Sequence, residues 1–239
     1  MGMRILRLIT CLTLSLFGAC SHANKHRKTI GVYVHYPVAD PECADALVKI
    51  LSAHYNVKRI THRTLTAKTL KKIDCIAFPG GLGDSDVFDD VLLDRKKVVQ
   101  TYMKNGGKYL GICMGAYFAG HYYFDVLDGV DTVRYIKRPG ADVSREDETI
   151  TSVTWNSKPY DMYFFDGCSV VGNINKLQVF ATYKNGDVMA AIQGRVGMIG
   201  CHPESFEDWY ESSEMRSFWH WGVHHKLLLE FVDKLMTIK

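Results

Sequence analysis

The sequence carries little net charge for its length: 29 Lys and Arg against 26 Asp and Glu leave +3. That excess is too small and too dispersed to build the basic face that nucleic-acid binding requires. No internal repeat or low-complexity tract is present, which argues against a solenoid, a propeller or a disordered chain. None of the seven Cys and ten His residues falls at the spacing of a structural zinc site. The apolar run Leu8 to Phe17 is too short to span a bilayer. No motif calls for a bound cofactor.

What is present begins with an export signal. Arg4 and Arg7 precede the apolar run, and Gly18-Ala19-Cys20 closes it, the charged, apolar, small-residue order of a secretory leader. Leu16-Phe-Gly-Ala-Cys20 looks like a bacterial lipobox, in which Cys20 is lipidated after cleavage. Ser21-His-Ala23 offers an ordinary cleavage site instead, and a buried N-terminal helix is the third reading. Both export routes put the mature domain outside the cytoplasm, in the periplasm, and the lipid route anchors it to the membrane through Cys20. Residues 1–28 are therefore expected to be signal and tether, and residues 29–239 one domain.

Export sharpens the cysteine count. Cys43, Cys75, Cys113, Cys168 and Cys201 remain in the domain, and five is odd, so at least one thiol has no partner within the chain. Cys113 is the natural candidate. Cys75, Cys168 and Cys201 sit in apolar, strand-like runs and read as core.

Apolar periodicity then gives alternating elements. Thr29 to His35 reads as a strand, Glu42 to Tyr55 as a helix, Val57 to Ile60 and Ile73 to Phe78 as strands. Val87 to Asn105 reads as one helix stopped by Gly106-Gly107, and Ala116 to Tyr123 as another. Such alternation predicts an α/β fold, a mostly parallel central sheet flanked by helices, with its site at the carboxyl ends of the strands. Later on, Thr149 to Trp155, Met162 to Phe165, Val179 to Tyr183, Val188 to Gln193 and Val196 to Ile199 are short and strand-like. They predict an added β-hairpin region in the C-terminal half, turning at Lys184-Asn-Gly-Asp187.

The chemistry gathers at the ends of three of these strands. Tyr109 to Ile112 runs into Gly111-Ile-Cys113-Met-Gly115, a sharp strand-to-helix turn of the kind that exposes a nucleophile, here a thiol. Val196 to Cys201 runs into His202-Pro-Glu204, an imidazole to take the thiol proton and a carboxylate to orient it. Ile73 to Phe78 runs into Pro79-Gly80-Gly81, a turn able to present N–H groups to an oxyanion. Cys113, His202 and Glu204 are the candidate triad, and the N–H groups of Gly81 and Met114 the candidate oxyanion hole. Gly80, Gly115 and Tyr117 are candidates for the substrate pocket.

Those same residues carry a family resemblance. Phe78-Pro-Gly-Gly81, Gly111-Ile-Cys-Met-Gly115 and His202-Pro-Glu204 resemble the oxyanion strand, nucleophile elbow and His-x-Glu of class I glutamine amidotransferase-like domains, of flavodoxin-like fold. Gly106 to Ala119, Tyr163 to Cys168, Val179 to Tyr183 and Gly197 to Glu204 resemble, more narrowly, the N-terminal domain of eukaryotic-type biotin-protein ligases. The chain has no Gly-Arg-Gly-rich adenylate loop, so the resemblance does not imply biotin ligation. Glutamine-hydrolysing members commonly carry Gln four residues after the nucleophile. Tyr117 stands there in this chain, which turns the expectation from glutamine toward another small amide.

The resemblance thus implies a cysteine amidohydrolase or amidotransferase-like protein acting on a small-molecule amide. A non-catalytic binding module on the same scaffold and a cysteine peptidase are the alternatives. His220 and His224 have the spacing of a metal pair but no evident third ligand, so no metal site is expected there. Trp209, Tyr210, Phe218, Trp219 and Trp221 read as packing for a C-terminal helix. Arg145 to Glu148 reads as a solvated loop, and Arg134, Lys137 and Arg138 as a solvated face.

Overall fold

Five short segments line up in parallel. The four inner ones are apolar and buried on both faces, which leaves no side of those ribbons for water, while the fifth, Asn56–Ile60, lies at the sheet edge and is largely exposed. A computed structural model describes residues 27–82 and 85–239, so the expected signal, Cys11 and Cys20 lie outside the described residues. In chain order the elements are β1 (Thr29–Tyr33), α1 (Pro41–Leu51), β2 (Asn56–Ile60), α2 (Ala67–Leu70), β3 (Cys75–Phe78), α3 (Ser85–Val91), α4 (Lys96–Lys104), β4 (Lys108–Ile112), α5 (Met114–Tyr117) and β5 (Val130–Arg134). Then follow β6 (Thr149–Trp155), β7 (Lys158–Phe164), β8 (Cys168–Gly172), β9 (Gln178–Tyr183), β10 (Val188–Gln193), β11 (Val196–Ile199), α6 (Ser213–Arg216) and α7 (Val223–Thr237).

The sheet order is β2-β1-β3-β4-β11-β10-β9-β6-β7, with β5 and β8 branching from β10. From β2 to β11 every pairing is parallel; from β11 onward every pairing is antiparallel. The predicted α/β sheet is therefore present, and the predicted hairpin region continues it rather than forming a separate layer. Alternate residues of each strand feed two cores. Ile30, Val32, Cys75, Ala77, Leu110 and Ile112 face α1 and α7, whereas Tyr33, Ile76, Phe78 and Tyr109 face α3, α4 and α5.

Several boundaries differ from expectation, each for a local reason. The helix expected over residues 87–105 is two, α3 and α4, broken by a 3₁₀ turn at Leu93–Arg95. The break lets Phe88, Leu92 and Val99 all reach one core. The helix expected over residues 116–123 is the single turn α5, since Gly120 N–H bonds back to Tyr117 and the chain reverses there. The first helix ends at Leu51 rather than Tyr55. Strand β7 begins four residues early, at Lys158, because Asn156 and Ser157 both take positive φ and close a tight hairpin from β6.

Candidate active site

Strands β4 and β11 lie side by side in parallel, with Ile112 opposite Ile199, and the N–H of Cys113 donates to the Ile199 carbonyl at 2.8 Å. This register brings the residue after β4 and the third residue after β11 to the same end of the sheet. Cys113 and His202 are those residues. Strand β3 borders β4 on the other side, so its Pro79-Gly80-Gly81 turn reaches the same end.

Cys113 is held in an unusual backbone conformation, φ 51° and ψ −112°. A non-glycine residue there is strained by about 1–3 kcal/mol, and such strain concentrates at functional sites. What holds it is close packing between elements: a Cβ on Gly115 would lie 1.9 Å from the Phe78 carbonyl oxygen, so α5 can sit on β3 only with glycine at its second position. The Gly115 carbonyl accepts the Tyr109 hydroxyl at 2.6 Å, pinning the turn to its own strand.

His202 and Glu204 are both buried, with Nδ1 of the ring 2.9 Å from Oε1 of the carboxylate. Tyr163 and Trp209 stand edge-on to the imidazole, at 5.9 and 5.8 Å between centroids, and fix its plane. Nε2 of His202 and Oε2 of Glu204 are buried without a hydrogen-bond partner of normal geometry. An unpaired buried nitrogen costs about 1–3 kcal/mol, a cost that makes sense in a base awaiting a proton. Burial alone pushes the imidazole toward its neutral form. The Cys113 sulfur, the Glu204 carboxylate and hydrogen bonding toward the Cys113 and Cys43 sulfurs outweigh that and hold its pKa well above the ordinary value. Those sulfur contacts are looser than full hydrogen bonds. The Cys113 thiol itself donates to the Phe165 carbonyl at 3.3 Å.

Cys113 opens into a cavity of about 450 Å³. Gly81, Met114 and Tyr117 line it, as does the aromatic wall of Tyr123 and Phe165. Neither the Gly81 nor the Met114 N–H donates to a backbone carbonyl among the described residues. Gly80 and Gly115, expected in the pocket, do not line it: Gly115 packs against Phe78, and Gly80 lies against His202 and Cys43. Two larger, open hollows of about 830 and 780 Å³ lie elsewhere and contain none of Cys113, His202 or Glu204.

The far side of the cavity is charged, contrary to the solvated face and loop expected of Arg134 and Glu146. The Arg134 guanidinium grips Asp166 through Nε, at 3.0 Å, and through Nη2, which also pairs with Glu146 at 2.6 Å. Burial raises the Asp166 carboxyl above its usual range even though Arg134 pulls it down. The Tyr117 hydroxyl donates to the Asp166 carbonyl at 3.2 Å, linking α5 to this charged wall. Arg138 is different, since it pairs with Asp187 and serves the β9–β10 turn. Cys43 belongs to no motif in the sequence, yet it stands against His202. Burial raises its thiol to about 11, with the His202 hydrogen bond pulling the other way. All five domain cysteines are free thiols. His220 and His224 stack edge-on at 5.8 Å with no third ligand beside them among the described residues.

Comparison with known proteins agrees with this architecture. A family model for the N-terminal part of biotin-protein ligases matches residues 38–129, a stretch that includes the Gly80-Gly81 turn and Cys113 but ends before His202. No curated protein matches the sequence. A glutamine amidotransferase of Thermotoga maritima is similar in structure, with TM-score 0.63 at 12% identity over 88% of this chain and 99% of that one. A protein of Thermoplasma acidophilum with a provisional assignment to GMP synthase gives 0.59 at 16% identity, over 89% and 96%. A β-galactosidase of the psychrophilic Marinomonas ef1 gives 0.52 at 8% identity, over 89% of this chain and 30% of that one. The fold is that of class I glutamine amidotransferase-like domains, and the spread of names across it leaves chemistry to the site.

Proposed function

We propose that this chain is an exported cysteine-dependent amide hydrolase or amidotransferase-like protein, with Cys113 as nucleophile, His202 as base and Glu204 orienting the ring. The observation that carries the reading is the pairing of a strained Cys113 with a buried His202–Glu204 couple on the neighbouring strand end. His202 takes the thiol proton, and the sulfur adds to the amide carbonyl. The N–H groups of Met114 and Gly81 bear the developing oxyanion. His202 then protonates the leaving amine as the C–N bond breaks, which leaves a thioester on Cys113. Water, deprotonated by the same ring, cleaves the thioester, or another amine takes the acyl group.

A cavity of about 450 Å³ falls in the range of small-ligand sites, which favours a small amide over a protein substrate. Tyr117, Tyr123 and Phe165 suit an apolar or aromatic flank on that amide, and the Arg134, Asp166 and Glu146 cluster suits a polar end. Release of ammonia or amine from a panel of small amides, run beside Cys113→Ala, tests this. Turnover in the wild type that vanishes in a folded Cys113→Ala supports it, and equal turnover in both overturns it.

A binding module without turnover is the second reading, and the hydrogen bond from Cys113 to Phe165, rather than to His202, favours it. Hydrogen bonds of this kind are often long in unliganded enzymes and tighten with substrate. The export signal of residues 1–28, with lipid on Cys20, is part of the proposal and rests on sequence pattern.

A further inference from the structure

Cys43 lies outside the triad but beside its base. It is the third residue of α1, whose start is held by Asp40: that carboxylate accepts the N–H groups of Glu42 and Cys43. The Asp40 N–H in turn donates to the Gly80 carbonyl at 3.0 Å, tying the helix start to the turn after β3. Gly80 has no side chain, and this is what lets Cys43 meet His202. A Cβ at residue 80 would lie 2.6 Å from Cε1 of His202 and 3.0 Å from Sγ of Cys43.

The result is a thiol, an imidazole and a carboxylate, from Cys43, His202 and Glu204, whose ligand atoms all lie within 4.8 Å of one another. His202 and Glu204 are almost fully buried, and each keeps one polar atom, Nε2 and Oε2, without a hydrogen-bond partner. We propose that Cys43, His202 and Glu204 bind a thiophilic divalent transition-metal ion of the zinc type, and that the bound ion withdraws His202 from Cys113.

The donor set selects the ion. A thiolate with imidazole and carboxylate suits Zn²⁺, whereas Mg²⁺ and Ca²⁺ demand oxygen. Thiolate and carboxylate together cancel the two positive charges, which offsets the cost of placing the ion among buried groups. Tetrahedral Zn²⁺ with bonds of about 2.0–2.3 Å sets its ligands roughly 3.3–3.8 Å apart. His202 Nδ1 and Glu204 Oε1, already 2.9 Å apart, therefore open slightly and Cys43 closes on them by up to about 1 Å when the ion enters, and the half-buried Cys43 gives the side from which it enters. Glu204 sits at Nδ1 of His202, so this is the nitrogen that would hold the ion. The ring proton is then confined to Nε2, which has no lone pair left for the Cys113 proton, so ion binding and triad chemistry exclude each other.

Cobalt is the probe, because a thiolate ligand gives Co²⁺ an intense near-ultraviolet charge-transfer band. The reduced, metal-free protein is titrated with Co²⁺ and then with Zn²⁺, as wild type, Cys43→Ser and Cys113→Ser. Wild type and Cys113→Ser are expected to bind one Co²⁺ per chain with the thiolate band, and Zn²⁺ to displace it. Cys43→Ser is expected to lose the band and to lose affinity by more than the ~10–100-fold typical of removing a supporting partner. A second measurement needs no substitution: saturating Zn²⁺ should protect Cys43 of the wild type from iodoacetamide, read by peptide mass spectrometry. A band that persists in Cys43→Ser, a band that disappears in Cys113→Ser, no band in the wild type, or Cys43 alkylated as fast with Zn²⁺ as without would each overturn the proposal. None of these readings depends on turnover, so a failure here and a failure of the hydrolase reading remain distinguishable.

Discussion

At Cys113 the backbone holds φ at 51° although the residue has a Cβ, so the thiol is presented at a cost in stability. Replacing it by Gly removes the Cβ clash, worth about 1–3 kcal/mol, against a loss of up to ~1 kcal/mol for the freer unfolded chain. Cys113→Gly should therefore be more stable than Cys113→Ala by about 1 kcal/mol in urea denaturation. Equal midpoints would mean the elbow is unstrained. At Gly80 the account expects Gly80→Ala to fold but to lose most activity, because the new methyl would sit 2.6 Å from the His202 ring and displace it. A variant as active as wild type would contradict that. Cys113, His202 and Glu204 are legible in the sequence because each follows an apolar strand within a short, glycine- or proline-marked turn. Cys43, Arg134, Asp166 and Glu146 are not. Their place at the site is set by the Asp40–Gly80 tie and by a salt-bridge cluster that joins β5, the loop before β6 and the turn after β7, and no local pattern encodes such contacts.

Among the elements, α7 carries an acid-sensitive point. His224 is fully buried, both ring nitrogens lack partners, and burial, with His220 and His225 adding repulsion, lowers its pKa to about 4. From pH 6.5 down to about 4 the unfolded chain takes up a proton that the folded chain refuses, so stability falls with acid across that window. At pH 4.5 the loss from this residue is about 2–3 kcal/mol relative to pH 7. His224→Leu should lose less stability than wild type between those two pH values, by about that amount, in urea denaturation at each. Parallel losses would show that His224 does not titrate as described. The elements themselves are legible where apolar runs are continuous: the expected bounds of β3, β4 and β11 lie within about two residues of the observed ones. They are not where the signal is short or polar. Strands β5 and β8 have no such run, and α3 and α4 read as one helix because the break at Leu92 is an apolar residue that turns inward to the core, with no Pro or Gly to mark it.

Over the whole molecule, the parallel half of the sheet and its site end follow from β-α alternation, while the branching of β5 and β8 from β10 rests on long-range pairing that no local pattern reports. The proposed leader adds a prediction at this scale. If Cys20 is lipidated, the native protein should partition into detergent and Cys20→Ala should not. A soluble native protein beginning at Asn24 would contradict lipidation. The central claim, that Cys113, His202 and Glu204 act as one unit, is tested most directly by the rate at which iodoacetamide labels Cys113 at neutral pH, with peptide mass spectrometry separating it from Cys43. Cys113 should be the fastest-labelled thiol of the wild type, slowed at least ~10-fold in His202→Ala as the thiolate loses its counter-charge, and slowed to a smaller degree in Glu204→Gln. The same Cys113 rate in all three folded proteins would show that His202 and Glu204 do not act on the thiol, and would contradict the account.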